Sequence, residues 1–296
     1  MSDSLHYRGW RRPGPIPPGG IQPEEGETLS YISGHYRVFQ YARGHRFSTD
    51  DVLTAWYGTQ WAPRVERAAD LGSGIGSVAL VAAWRLPGAR FVTAEAQEES
   101  IRLARKSIRY NGLAERFKLL HGDLRDPALF EGDEPFDLVL GSPPYFPLGT
   151  ASPSHRAQAV GARIEMRGSI SDYAETAARI LAPGGVFAFV FPTGGTKRAE
   201  AALQEEGLIL LRRRDVVFQE GENPSISLFA TSRAVDLPSS FHGESEGKPV
   251  IEPPLVIRRA DGTVHPEYAT LRLSFGFHPA DMIGASESSP SQESAR

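Results

Sequence analysis

Four stretches of the sequence combine residue types that can do chemistry. The first is Asp70-Leu71-Gly72-Ser73-Gly74-Ile75-Gly76. Glycines at alternate positions let a chain turn sharply and bring its backbone close to a ligand. A helix that begins just after such a loop aims its unpaired amides at the same place. Asp70, ahead of the glycines, can order the loop or meet the amino-acid end of a cofactor. A nicotinamide-dinucleotide loop would also carry glycine at its sixth position, where this chain has Ser77. The second stretch ends in Glu95, whose carboxylate can accept hydrogen bonds from both hydroxyls of a ribose. The third is His121-Gly122-Asp123. There a carboxylate can accept from the amino group of an adenine while Leu124 packs on the ring.

The fourth stretch is Gly141-Ser142-Pro143-Pro144-Tyr145-Phe146. Two prolines fix the backbone and remove two amide donors, which leaves the local carbonyls as acceptors. An exocyclic amine on adenine or cytosine is a poor nucleophile, because its lone pair is delocalised into the ring. Two acceptors that hold its hydrogens can steer the lone pair toward an electrophile. Ser142 and the carbonyl of Pro143 can be those acceptors, and Tyr145 can stack on the base, worth about 1–3 kcal/mol. Each stretch also has a plainer reading: a tight strand-to-helix turn, a surface glutamate, a turn aspartate and a rigid proline corner.

The elements around these stretches decide between the readings. Apolar runs predict strands over 65–71, 90–95, 117–121, 136–141, 186–191, 208–218 and 225–232. Amphipathic patterns predict helices over 77–85, 98–110, 170–181 and 196–206. Asn111-Gly112 ends the second of these, and Ser169 or Ser171 caps the third. A loop from Pro143 to about Arg167 is long enough to suspect function. Strand–helix alternation predicts an α/β fold, a doubly wound Rossmann-like sheet that is mostly parallel. The last two long apolar runs have no helix between them and predict an antiparallel edge hairpin. By the open-sheet rule, a ligand lies at the carboxyl ends of the strands, where all four stretches fall. The domain is expected over 29–280, between a disordered Pro/Gly-rich arm at 1–28 and a disordered tail at 281–296.

Composition narrows the class. The chain has 296 residues, 40% hydrophobic and 23% charged, which suits a globular protein with a sizeable core. With no cysteine, disulfides, thiolate zinc sites and cysteine nucleophiles are excluded. No metal is expected. No apolar run reaches the ~18 residues of a membrane span, and Met1 to Trp10 has no signal-peptide core. A cytoplasmic, membrane-free setting is the expectation. The formal net charge is −4, so contact with nucleic acid would need local basic patches. Arg8, Arg11 and Arg12 form one patch, Arg212 to Arg214 another, and Arg258 with Arg259 a third. Each reads equally as a solvated face.

These motifs resemble the amino-methyltransferase superfamily, a class I S-adenosyl-L-methionine-dependent group whose fourth motif reads Asn/Asp/Ser-Pro-Pro-aromatic. Over about residues 30–277 the chain is similar to one branch, the bacterial tRNA adenine-N6 methyltransferases that modify position 37 of a valine tRNA. Three stretches carry the likeness: Tyr36 to Trp56 with Arg46-Phe47-Ser48-Thr49-Asp50-Asp51, Ala162-Arg163-Ile164-Glu165, and Leu255-Val256-Ile257-Arg258 with Tyr268-Ala269-Thr270-Leu271. The resemblance implies the class I methyltransferase fold and the cofactor S-adenosyl-L-methionine. It implies cofactor binding by Asp70, Gly72, Gly74, Gly76, Glu95, Asp123, Leu124 and Phe47. Ser142, Pro143, Pro144 and Tyr145 would be the catalytic turn, and RNA, as tRNA, the partner. Arg156 and Arg163 could meet phosphate, or be solvated. The branch usually has asparagine where this chain has Ser142, and serine there is familiar in cytosine-N4 methyltransferases. Cytosine N4 and guanine N2 stay open as acceptors, and so does protein glutamine, although the glutamine enzymes usually show asparagine in the fourth motif and Ser142 argues against them. So does a non-catalytic module that binds RNA or protein.

Overall fold

The computed structural model describes residues 5–7, 9–44, 46–61, 64–145, 168–238 and 248–278. In chain order the elements are strands β1 (His6–Tyr7), β2 (Trp10–Arg11), β3 (Glu27–Ser33) and β4 (Tyr36–Tyr41), then helix α1 (Thr49–Trp61) and β5 (Arg67–Leu71). There follow α2 (Ser77–Arg85), β6 (Arg90–Glu95), α3 (Glu98–Tyr110), β7 (Phe117–His121) and β8 (Phe136–Gly141). The chain continues through α4 (Ile170–Ile180), β9 (Leu181–Pro192), α5 (Thr196–Glu205), β10 (Leu208–Gln219), β11 (Ile226–Arg233), β12 (Val250–Arg258) and α6 (Pro266–Ser274). The part of the loop beyond residue 145, with Arg156 and Arg163, lies outside the described residues, as do Arg8 and the tail at 281–296.

The main sheet has eight strands in the order β12-β10-β11-β9-β8-β5-β6-β7. Strands β5 to β9 run parallel, and β11 is antiparallel to both β9 and β10. The expected antiparallel hairpin is present, but it is not the edge. Strand β12 pairs parallel to β10 and lies outside it. The reading of the sequence missed β12 because Pro253 and Pro254 interrupt it. An edge strand tolerates proline, since its outer amides need no partner.

Alternation along the strands builds two cores. Ala68, Leu138, Leu140, Ala188 and Val190 face one side, where α1 and α2 pack. Ala69, Leu71, Val139, Phe187, Phe189 and Phe191 face the other, under α4 and α5. Gly58 lets α1 approach closely, since a Cβ there would stand 2.5 Å from Leu140. On the opposite face Phe189 stacks on Phe229 at 4.7 Å between centroids. Helix α4 begins with a capping box in which Ser169 and Asp172 exchange hydrogen bonds, so Ser169 is the cap. Pro183-Gly184-Gly185 falls inside β9, which starts at Leu181.

The segment at 1–28, expected as a disordered arm, lies against the domain where it is described. The Gly19 amide donates to the Tyr110 carbonyl at 3.1 Å. Gly14 passes so close to the Trp84 ring that a Cβ would come within 2.0 Å of it. His35 Nε2 pairs with the Arg12 carbonyl at 2.9 Å, and the Arg12 guanidinium lies 3.4 Å from the Tyr31 ring centroid. Glu27 already belongs to β3. Backbone groups and aromatic faces hold this segment, and they leave no apolar period in the sequence.

Candidate active site

Sheet register sets the geometry of the site. Leu71, the last residue of β5, pairs with Ala94 of β6 on one side and Gly141 of β8 on the other. Gly72 and Ser142 therefore leave neighbouring strands side by side, one strand spacing of about 4.8 Å apart. Glu95 ends β6 beside His121. The four motifs found in the sequence open on one edge.

The glycine loop needs its glycines. Gly72, Gly74 and Gly76 have φ of 61°, 56° and 80°, the left-handed region where side chains are strained. A Cβ on Gly72 would stand 1.9 Å from the Tyr173 hydroxyl, whereas one on Gly74 would meet nothing within 4 Å. Tyr173 comes from α4 and also lies under Gly141, where a Cβ would be 2.9 Å from its ring. One buried tyrosine thus joins the two loops from below. Burial raises its hydroxyl pKa, and the carboxylates of Glu95 and Asp70 add to the rise.

Carboxylates surround the loop. Asp70 is buried, and its Oδ2 accepts from the Ala79 amide at 3.1 Å in the first turn of α2. That bond ties the end of β5 to α2 across the loop. Burial holds its carboxyl well above the usual range. Glu95 spans the loop, accepting from the Gly74 amide at 2.8 Å and the Gln97 amide at 2.6 Å. Asp51 of α1 accepts from the Ser48 amide at 2.9 Å and the Ser77 hydroxyl at 3.1 Å. Burial pushes Asp51 up to about 7, and the neighbouring Asp50 charge adds to the rise.

These features fit a positively charged nucleoside cofactor. The space in front of Gly74 is open, and Asp70 Oδ1 and Ser73 Oγ are buried with no hydrogen-bond partner among the described residues. A sulfonium and an ammonium group would meet carboxylates that their own charges restore to the ionised form. S-adenosyl-L-methionine supplies an electrophilic methyl group with a neutral thioether as leaving group. What the chain adds is placement.

Two expected contacts look different in space. Asp123 is gripped by Arg125, with Nη2 to Oδ2 at 2.5 Å and Nε to Oδ1 at 2.9 Å. An adenine amino group would share that carboxylate with a guanidinium. Leu124 is buried in the core under α4, and its carbonyl accepts from the Thr176 hydroxyl. Phe47 packs, partly buried, on the core under α1, and its amide donates to Gln40 at 3.2 Å. Its role in the site rests on its position just ahead of Asp50 and Asp51.

In the Ser-Pro-Pro-Tyr turn Pro143 and Pro144 are buried, and Ser142 and Tyr145 are half-buried. The Tyr145 hydroxyl donates to Asp50 Oδ2 at 2.6 Å. Its ring meets Phe191 edge-on at 6.4 Å, and Arg198 Nη2 donates to its carbonyl at 3.4 Å. Tyr173 and Arg198 were not picked out from the sequence, and Asp50 and Asp51 entered it only within the stretch from Arg46 that carries the likeness. Two acids in the first turn of a helix are what the helix dipole favours anyway, so nothing set Asp50 and Asp51 apart.

The basic patches divide. Arg212 pairs with Glu252, Arg213 with Glu200 and Asp215, and Arg214 with Glu267. That run braces the β10–β12 edge. Arg258 donates to the Gly262 carbonyl. Among the described residues no cluster is placed to hold a metal ion, and no helix is long and apolar enough to cross a membrane.

A tRNA1(Val) (adenine(37)-N6)-methyltransferase of Tolumonas auensis is 27% identical over 250 residues, covering 83% of this chain and 96% of that protein. A protein of the same name from Porphyromonas gingivalis is 27% identical, with 78% and 88% covered. A release factor glutamine methyltransferase of Gloeobacter violaceus is 33% identical, but over 43% of this chain and 46% of its own. Among solved structures, a predicted O-methyltransferase of Agrobacterium tumefaciens matches with TM-score 0.57 at 20% identity, over 78% of this chain and 98% of that one. That likeness concerns the fold. The methyltransferase small domain model matches residues 59–206, the stretch that holds the glycine loop, Glu95 and the Ser-Pro-Pro-Tyr turn. The chain belongs to the methyltransferase small domain family and is an S-adenosyl-L-methionine-dependent methyltransferase.

Proposed function

We propose that this enzyme methylates the N6 amino group of an adenine in a tRNA anticodon loop, in the cytoplasm. One observation carries the reading. The register Leu71–Gly141 sets the cofactor loop and the Ser-Pro-Pro-Tyr turn side by side, so a planar amine held by the turn faces the methyl donor. Ser142 Oγ and the Pro143 carbonyl are the acceptors for its hydrogens, and Tyr145 stacks on the base. Asp70, Gly72, Gly74, Gly76 and Glu95 hold the cofactor, with Phe47, Asp123 and Leu124 at its margins. A base must leave its stack to enter such a crevice, which costs least in a single-stranded loop. The relatives named for tRNA adenine are matched over most of this chain, whereas the glutamine enzyme is matched over less than half.

Ser142 favours a second acceptor, cytosine N4. Both readings are tested by incubating unmodified tRNA with the enzyme and methyl-labelled cofactor, then separating nucleosides by mass spectrometry. Label in N6-methyladenosine is expected. Label in N4-methylcytidine would move the function to cytosine, and label in neither would end the nucleobase reading.

A further inference from the structure

Tyr31 of β3 and Arg37 of β4 are paired directly across their hairpin, so their side chains lie on one face of it. The Arg37 Cζ atom stands 3.4 Å from the Tyr31 ring centroid. Arg12 reaches the same ring from the N-terminal segment, and its Cζ atom is also 3.4 Å from the centroid. Two guanidiniums cannot share one face of a ring at that distance, so they cover opposite faces. Their Cζ atoms are then separated by at most twice that distance, with one tyrosine ring between two positive charges.

No carboxylate offsets these charges. Among the described residues neither guanidinium donates a hydrogen bond or forms an ion pair, and Arg12 Nε is buried with no partner. Burial lowers the pKa of His35, and the charges of Arg12, Arg37 and Arg11 lower it further, so three arginines crowd one imidazole. The hairpin is built differently around Glu27, where Arg102 and Lys106 of α3 pair with Glu24 and Glu27. A buried guanidinium without a counter-ion is costly. A bound anion removes that cost.

We propose that Arg12 and Arg37, clasping Tyr31, form a clamp for one phosphate of the RNA backbone. The proposal deepens the tRNA reading above and rests on it. A phosphate at the rim of the ring is within reach of both guanidiniums, whose forked N–H donors match its oxygens. The ring keeps the two forks spread. The clamp is separate from the crevice. The Arg37 amide donates to Asn111 Oδ1 at the C-terminal end of α3, whereas Glu95 lies just ahead of the first turn of that helix. A helix of 13 residues spans about 20 Å, so the nucleotide at the clamp is not the one in the crevice. The clamp seats the RNA and does not touch the reacting amine.

The test measures binding of full-length enzyme to in vitro transcribed valine tRNA by fluorescence anisotropy over a salt series. Arg37→Gln and Arg12→Gln should each weaken binding about tenfold, as loss of hydrogen bonds to a charged group does. Both hold one phosphate, so the double variant should fall well short of a loss of about 100-fold. Its plot of log affinity against log salt should be shallower by about 1, the mark of a single phosphate. In steady-state transfer, KM for tRNA should rise while kcat holds. Affinity for S-adenosylhomocysteine should be unchanged. Arg12→Lys keeps the charge without the fork and should lose part of the tRNA affinity. Wild-type tRNA affinity and salt slope in Arg37→Gln would overturn the clamp. So would losses that multiply, or a lower kcat at unchanged KM, which would mark a structural defect. Calorimetry with inorganic phosphate separates the two sources of the anion. Phosphate binding that the variants lose, with tRNA affinity intact, would assign the site to a free anion and overturn the RNA clamp. If Arg12→Gln fails to fold, Arg37→Gln decides alone. A wild-type enzyme that binds tRNA but makes no N6-methyladenosine sinks the proposed target base and leaves the clamp to the binding data.

Discussion

The two halves of the proposed crevice, one for cofactor and one for target, are made in different ways. The cofactor half is local: Asp70, the glycines, Ser77 and Glu95 lie within one strand–helix–strand unit, fixed by backbone amides. The target half is assembled from afar: Tyr145 meets Asp50 of α1, Phe191 of β9 and Arg198 of α5. Among the described residues Asp51, bonded to Ser77, and Tyr173, under both loops, are side chains that tie the halves together. A local unit can be kept by a short motif. A distributed one needs the whole fold, and it is where acceptor chemistry can change without disturbing cofactor binding.

Glu95→Ala and Tyr145→Ala should break the two halves separately. Losing a charged acceptor that spans the loop should weaken S-adenosylhomocysteine about 100-fold, at roughly 1.5–3 kcal/mol for each hydrogen bond. Tyr145→Ala should leave that affinity within about twofold and cut transfer at least about 100-fold. Calorimetry and single-turnover rates read both. If either variant lost both properties equally, the halves would not be independent.

The glycine loop offers a sharper contrast within the cofactor half. Gly72→Ala drives a methyl group into Tyr173 and should lower the melting temperature as well as abolish cofactor binding. Gly74→Ala meets only backbone strain, about 1–2 kcal/mol. It should cost a few degrees of melting temperature yet weaken the cofactor at least about tenfold, because its methyl group enters the open space. Wild-type affinity in Gly74→Ala would show that the cofactor lies elsewhere.

The smallest effect tests the tie between the halves. The pKa of Asp51 is raised from 3.8 to about 7 in the folded protein. Its protonated form is favoured by folding, so its contribution to stability is full below about 3.8 and lost as the pH rises through about 7. A cation bound nearby favours the carboxylate. Affinity for S-adenosyl-L-methionine relative to its neutral-sulfur product should therefore rise with pH across that window, by about tenfold. Asp51→Asn should flatten both trends. A wild-type affinity ratio that does not change with pH would remove Asp51 from the crevice.

Much of the cofactor half was legible in the sequence because each of its contacts spans few residues. The helices at 77–85 and 98–110 and the strands at 90–95, 117–121 and 136–141 appear where periodicity placed them. Strand β12 and the segment at 9–28 did not, since prolines and aromatic faces carry no period.

The sequence by itself determined the loop, the carboxylate of Glu95 and the proline turn, because glycine at positive φ, an acid at a strand end and paired prolines are demands of the local backbone. Tertiary structure alone decided that Leu71 and Gly141 share a register and that Asp50 receives the Tyr145 hydroxyl. Contacts between residues about a hundred positions apart depend on how helices seat on a twisted sheet, and one chain read in order holds no period or spacing that records them.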